Sequence, residues 1–249
     1  MKKKIFTSVL VLLLFAGCNS SEIEKPQDGN DKVINARVEN ASQFSNVADV
    51  KLLANPFSPM EQFNESVEIA YAEWKNGGFI INFPKTVNSS YLYPPIHDGK
   101  WKVRLPVATG GFRSDNIYFE SLSSVTISNE NVKIVNTEIW GVDENARWIA
   151  PFSLIRLIDE YNFTKAVFTY VDSDVTIFGS NVVINEFGNP PFEVHNIYSI
   201  EWKKGWNVWY LTKSRTVTND GTPILTRKWS SIPADGLKWH GEEIRYWAL

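Results

Sequence analysis

The sequence predicts an all-β protein of two modules, a small sandwich over residues 32–97 and a larger sandwich or barrel over 98–249. Three observations carry that expectation. Apolar and polar residues alternate with period two in short runs, as strands with one buried face require. Gly, Pro, Asn and Ser cluster between those runs, where turns need them. Apolar residues fall at helical spacing in one place only, at Leu154, Leu157, Ile158 and Tyr161.

The chain opens on Lys2, Lys3 and Lys4, then the apolar run Ile5 to Phe15, broken only by Thr7 and Ser8. Ala16 and Gly17 precede Cys18, the one cysteine of the protein. A basic start, a short apolar core and small residues at a cut site describe a secretory signal over residues 1–17. The run falls short of the ~20 apolar residues a spanning helix needs. Phe15-Ala16-Gly17-Cys18 resembles the bacterial lipobox, with Phe15 where Leu is usual. The resemblance implies that a lipoprotein signal peptidase cuts before Cys18, which then carries acyl chains. Each buried CH₂ contributes about 0.8 kcal/mol, so two or more chains anchor stably where one does not. Asn19 to Asp31 is polar, lacks aromatic residues and contains Pro26 and Gly29, which reads as a flexible tether over 18–31. Its thirteen residues reach about 20 Å on average.

Val33 to Val38 and Val50 to Leu53 begin the first module as strands. Val67, Ile69 and Tyr71 then share one strand face against Glu68, Ala70 and Ala72. Asn76-Gly77-Gly78 has the chemistry of a tight hairpin turn, because these residues accept positive φ. Phe79, Ile81 and Phe83 alternate after it until Pro84 removes a ladder donor. The stretch GGFIINFP, Gly77 to Pro84, resembles a strand of prealbumin-like or immunoglobulin-like sandwiches, and no chemistry attaches to it. Tyr91 to Gly99 marks the border between modules, and His97 sits there in a solvated turn.

The second module continues with the runs Val103–Leu105, Ile117–Phe119, Val125–Ile127 and Val132–Ile134. Phe152 to Tyr161 is expected as a single short helix behind Pro151, although a buried strand fits the same residues. Ala166 to Gly179 reads as the clearest hairpin, with Asp172-Ser173-Asp174 as its turn. Asp172 and Asp174 are the best-spaced acid pair. Calcium wants six to eight oxygens, however, and the loop lacks the further ligands, so turn formation is the better account.

Six of ten tryptophans follow residue 200: Trp202, Trp206, Trp209, Trp229, Trp239 and Trp247. From Trp206 to Leu211 both strand faces are apolar, so the strand is buried twice or displays one set outward. Outward, Trp209 with Trp239 or Trp247 would form a platform for a sugar face or aromatic ligand. Inward, the rings fill a wide core, which is the favoured reading.

Composition closes off several classes. Loss of Lys2–Lys4 leaves 22 basic against 28 acidic residues, a net charge of about −6. A mildly acidic, unclustered surface argues against nucleic acid, which demands a basic stripe. One cysteine rules out a disulfide framework and a thiolate metal site, so no metal and no cofactor is expected. No G-x-S-x-G, H-E-x-x-H, Walker or G-x-G-x-x-G motif is present. A catalytic triad would need His97, His195 or His240. Paired carboxylates would come from strand residues such as Glu120, Glu138, Glu193 and Glu201, which solvated strand faces explain more simply.

YVDSDVTIFG (Tyr170–Gly179) and KKGWNVWYL (Lys203–Leu211), with the lipobox, resemble segments of all-β cell-envelope lipoproteins of gut Bacteroidetes. The resemblance implies an exported, anchored protein of the outer membrane and brings no catalytic motif. The resulting expectation is a non-catalytic binding or adhesion-type accessory. Its partners would be the membrane, through Cys18, and a glycan or another envelope protein. A β-sandwich glycoside hydrolase or glycan binder and a lipocalin-like carrier of a hydrophobic ligand stand as alternatives.

Overall fold

The computed structural model describes residues 32–54, 67–97, 100–104, 116–118, 124–159, 161–185 and 192–242. The signal, Cys18 and the tether lie outside them. The protein is all-β, and two single turns of 3₁₀ helix are the helical elements among the described residues. Strands β1 (Val33–Arg37), β2 (Asp49–Ala54), β3 (Val67–Glu73) and β4 (Gly78–Asn82) come first. Short β5 (Ile96–His97), β6 (Lys100–Arg104) and β7 (Asn116–Tyr118) pair with one another. The rest are β8 (Val125–Ile127), β9 (Ile134–Val142), β10 (Trp148–Leu157), β11 (Phe163–Val171) and β12 (Val175–Asn185), then β13 (Phe192–Trp202), β14 (Gly205–Val217), β15 (Pro223–Ser230) and β16 (Lys238–Gly241).

One large sheet runs in the order β3-β2-β9-β10-β11-β14-β15-β13-β12-β8, with β16 beside β10 and a direct β9–β11 pairing. β13 and β15 run parallel, and the other pairs within it are antiparallel. β1 and β4 form a separate two-stranded sheet. β2 reaches across the border expected near residue 97 by pairing with β9 from Asp49↔Val142 to Ala54↔Thr137. A single apolar cluster likewise joins Ile34, Phe79 and Ile81 to Ile139, Leu154, Phe168 and Trp239. Sheet and core are therefore continuous over that border.

The sheet folds over on itself, because β8, β12 and β13 pack onto β9 and β11, which lie far from them in strand order. β11 is caught in the middle. Phe168 and Ala166 face the first cluster, where Phe168 stacks on Trp239 at 6.1 Å and tilts against Phe83 at 5.6 Å. Val167 and Val171 face the second cluster, with Val175, Ile177, Ile200 and Trp209. β14 is treated the same way: Trp206, Val208 and Tyr210 face one cluster, Trp209 and Leu211 the other. Its two apolar faces are both covered, as one of the two sequence readings required.

Two expected elements are corrected. Phe152 to Tyr161 forms no helix; most of it belongs to β10. Phe152 and Leu154 enter the first cluster, whereas Leu157 and Ile158, half of the apparent helical stripe, are 61% and 72% exposed. Pairing of β10 with β9, β11 and β16 outweighs that chance spacing. Ala166 to Gly179 is also no hairpin. β11 pairs with β14, β9 and β10, whereas β12 pairs with β13 and β8. Both strands turn an apolar face toward the other, so they stack face to face, and Asp172–Asp174 carries the chain from one layer to the next.

The turn at Asn76-Gly77 forms as its sequence predicts. Both residues have positive φ, 52° and 76°, and Lys75 and Gly78 exchange backbone hydrogen bonds of 2.9 and 3.0 Å. Beyond it the strands part, β3 into the large sheet and β4 against β1. Gly78 is required there, since a Cβ would lie 2.1 Å from the Ala36 carbonyl oxygen.

Between β9, β11 and β14 a buried polar chain crosses the apolar interior. The Trp209 indole donates to Thr169 Oγ1 at 2.8 Å, and Thr169 donates to Asn136 Oδ1 at 2.5 Å. The Asn136 amide donates to the Tyr93 hydroxyl at 3.3 Å. These bonds fix how the two layers meet, because a slip by one residue would leave each group unpaired. Thr169→Val should therefore cost about 2–3 kcal/mol, read by denaturant unfolding, since it strands a buried indole N–H and a buried amide oxygen. A loss below about 0.5 kcal/mol would remove the chain from the account of stability.

Lys32, at the entry to β1, buries its side chain with Nζ 5.8 Å from the Phe168 ring centre. Burial drives its pKa from 10.5 down to about 8. Between those values the unfolded chain binds more protons, so stability rises with pH over that window. Lys32→Met should stabilise the protein at pH 7 by up to about 3 kcal/mol and abolish this rise. Identical pH profiles for the two proteins would contradict the assignment.

Candidate functional site

The residues singled out from sequence are dispersed. Trp209 and Trp239 are each 1% exposed and belong to different clusters on opposite sides of the large sheet. They make no surface platform, because both neighbouring layers need indoles to fill the space between strands; Trp247 lies outside the described residues. Asp172 and Asp174 spend their oxygens on the turn. Asp172 Oδ1 accepts from the Lys133 backbone, and Asp174 accepts from the Lys204 backbone at 2.8 Å and Lys203 Nζ at 2.9 Å. These donors hold the Asp174 carboxyl below its ordinary range, the backbone bond contributing most.

His195 sits on the outer face of β13, its Nε2 2.7 Å from Glu193 Oε2. His97 pairs with Lys100 in the small sheet. His240 pairs across β16 and β10 with Ser153, on the sheet face that also carries Glu138 and Lys165. Glu138 accepts the Trp140 indole N–H at 2.8 Å. Among the described residues no hydrogen bond joins Ser153 to His240 or Lys165. Glu120 lies outside the described residues.

The stronger site is a row that crosses five strands. Register places Phe163 of β11 opposite Lys213, Lys213 opposite Arg227, Arg227 beside Asn196, and Asn196 opposite Asn181. Strand alternation turns these side chains to the face that carries the second apolar cluster. The next row inward is Lys165, Leu211, Trp229 and Tyr198, where Tyr198 and Trp229 stack at 4.7 Å. The next row outward brings Arg215, whose guanidinium lies 4.8 Å from the Tyr161 ring centre. The face thus passes from aromatic floor to a belt of cations and amides.

Within the belt, Asn196 is 3% exposed, and its Oδ1 has no hydrogen-bond partner. Lys165 is 7% exposed and makes no hydrogen bond or ion pair with a described residue. It also lines a cavity of about 20 Å³ where β9, β10 and β11 part, shared with Glu138, Thr137 and Ser153. Lys213 and Arg227 are half-buried, and Lys213 Nζ lies 5.8 Å over the Phe163 ring. Burial pushes the Tyr198 phenol well above its ordinary value, partly offset by the nearby Arg227 charge. The belt therefore sets the half-buried cations Lys213 and Arg227 beside a buried amide and a buried aromatic pair.

A second opening, a groove where β1 and β4 meet the turn after β3, is less informative. Its charges Arg37, Glu73 and Lys75 are of both signs, and Lys75 already pairs with Glu73. Sequence reasoning missed the belt because its members come from separate strands. The one local signal is the inner face of β14, where Trp209 and Leu211 give way to Lys213 and Arg215.

The chain matches no family model, no curated protein and no solved structure. No three metal-ligating side chains converge among the described residues. Calcium titration should leave the melting temperature unchanged, since both Asp174 oxygens and Asp172 Oδ1 are committed to donors of the turn. A saturable rise that Asp174→Ala removes would overturn this reading of the turn.

Proposed function

We propose that this chain is a lipid-anchored bacterial envelope protein that binds a ligand without transforming it. Support for the anchor comes from Lys2–Lys4, the apolar run to Phe15 and the small residues before Cys18. The polar stretch 19–31 then leads straight into β1, whose Ile34 is already core. Among the described residues no helix is long and apolar enough to cross a membrane. On this reading acyl chains on Cys18 supply the attachment, at the outer membrane.

The observation that carries the binding half is the belt over β11, β14, β15, β13 and β12. Ligand sites combine an apolar floor with a few fixed polar groups, and the Tyr198–Trp229 stack beneath Asn196, Lys213 and Arg227 has that composition. A glycan suits it better than a purely hydrophobic cargo. The indoles that would line a carrier's interior, Trp202 and Trp209, are packed into the core at 1% exposure.

Cells expressing the full chain with an alkyne-tagged palmitate should label the protein and retain it with membranes. Cys18→Ser should lose the label and move to the soluble fraction. An unlabelled wild-type protein, or a labelled Cys18→Ser variant, would refute the anchor.

A further inference from the structure

The geometry points to a second contact surface at the β3 end of the large sheet, where Tyr71, Trp140 and Trp148 form a platform for an uncharged chain of pyranose rings. It lies apart from the belt and rests neither on the belt nor on the anchor. Tyr71 is 68% exposed and Trp148 44%, and Trp140 beside it is half-buried. None of the three belongs to an apolar cluster. Aromatic rings left out of every core yet gathered on one face serve contact with something outside the chain.

Register fixes the layout. Tyr71 of β3 stands opposite Lys51 of β2, and Lys51 stands opposite Trp140 of β9. Two strand spacings, about 10 Å, therefore part Tyr71 from Trp140, the run of two linked sugar rings. Trp148 lies one row further along the same face, opposite Val142. It meets Trp140 edge to face, with ring centres 5.9 Å apart and planes at 71°. The Trp140 indole donates to Glu138 at 2.8 Å, which holds this corner in place before a ligand arrives. A pyranose has an apolar C–H face that lies flat on such a ring. The Trp148 N–H and the Tyr71 hydroxyl make no hydrogen bond with a described residue, so both are open to sugar hydroxyls.

Charge selects the ligand. Lys51 sits between the rings and repels a cation that their faces would otherwise attract. Glu68, Glu73, Asp49 and Glu138 border the same row and repel an anion. Lys51 is tied to Glu68 at 2.7 Å, and Lys75 to Glu73. The fringe is thus a set of paired charges whose carboxylates keep lone pairs for neutral hydroxyl donors. A ligand with apolar ring faces, a hydroxylated rim and no charge answers all three conditions.

The test uses the full chain in detergent and ligand-observed NMR, with cellohexaose, maltohexaose, xylohexaose and mannohexaose as probes. Glucose and a galacturonate hexamer are the comparison arms. At least one neutral hexasaccharide should bind about ten-fold more tightly than glucose, which spans one ring only, and than the acidic hexamer. Trp148→Ala and Tyr71→Ala should each weaken that binding about ten-fold, and Trp148→Phe should retain most of it. Ile184→Ala, at a 63% exposed position of β12, should change nothing. These side chains reach no core, so the melting curves of the variants should overlay that of the parent. Silence from all four neutral probes, equal binding of glucose, tighter binding of galacturonate, or an alanine variant that binds like the parent would overturn the assignment. Sedimentation of the same proteins covers another occupant. Self-association that Trp148→Ala abolishes, without glycan binding, would give the face to a second copy of the chain and overturn the assignment as well.

Discussion

A strand buried on both faces sets the terms for this protein. β11 takes Phe168 to one core and Val167 and Val171 to another, so neither core can form without it. A single sheet can cover both sides of β11 only by doubling back, and the long strands β12 to β15 are what allow it. The cost of running a polar backbone through two cores is met by ladder bonds to β14 along its whole length, and to β10 and β9 at either end of its other edge. The Trp209–Thr169–Asn136–Tyr93 chain then fixes the angle and register between layers. Apolar contact alone would tolerate a slip that these bonds do not.

Local chemistry was legible in the sequence, and partner choice was not. The turn at Asn76-Gly77 could be read because it depends on two residues that accept positive φ. The two-sided apolar pattern of Trp206 to Leu211 could be read as double burial because alternation is a property of the strand itself. The Ala166–Gly179 segment misled, since two apolar strands joined by a polar turn look alike whether they pair at edges or stack on faces. Which arrangement wins depends on β13 and β14, which follow later in the chain. Phe152 to Tyr161 misled for a related reason. Its helical spacing used Leu157 and Ile158, which end up at the surface while strand partners claim the rest.

The belt was illegible for a geometric reason. Lys165, Lys213, Arg227 and Asn196 come together only through the registers of three strand pairs. No spacing in a linear sequence encodes a row that crosses a sheet. The tryptophans were legible as residues but not as surface, because indoles pack either way and only the doubled sheet creates a space that needs them.

Native-state hydrogen exchange tests the double burial of β11 most directly. Amides from Val167 to Val171 should exchange only through global unfolding and share one protection free energy with Trp209 and Leu211 of β14. Exchange of those β11 amides at the faster rate of the separate β1–β4 sheet would show that the two cores do not depend on this strand.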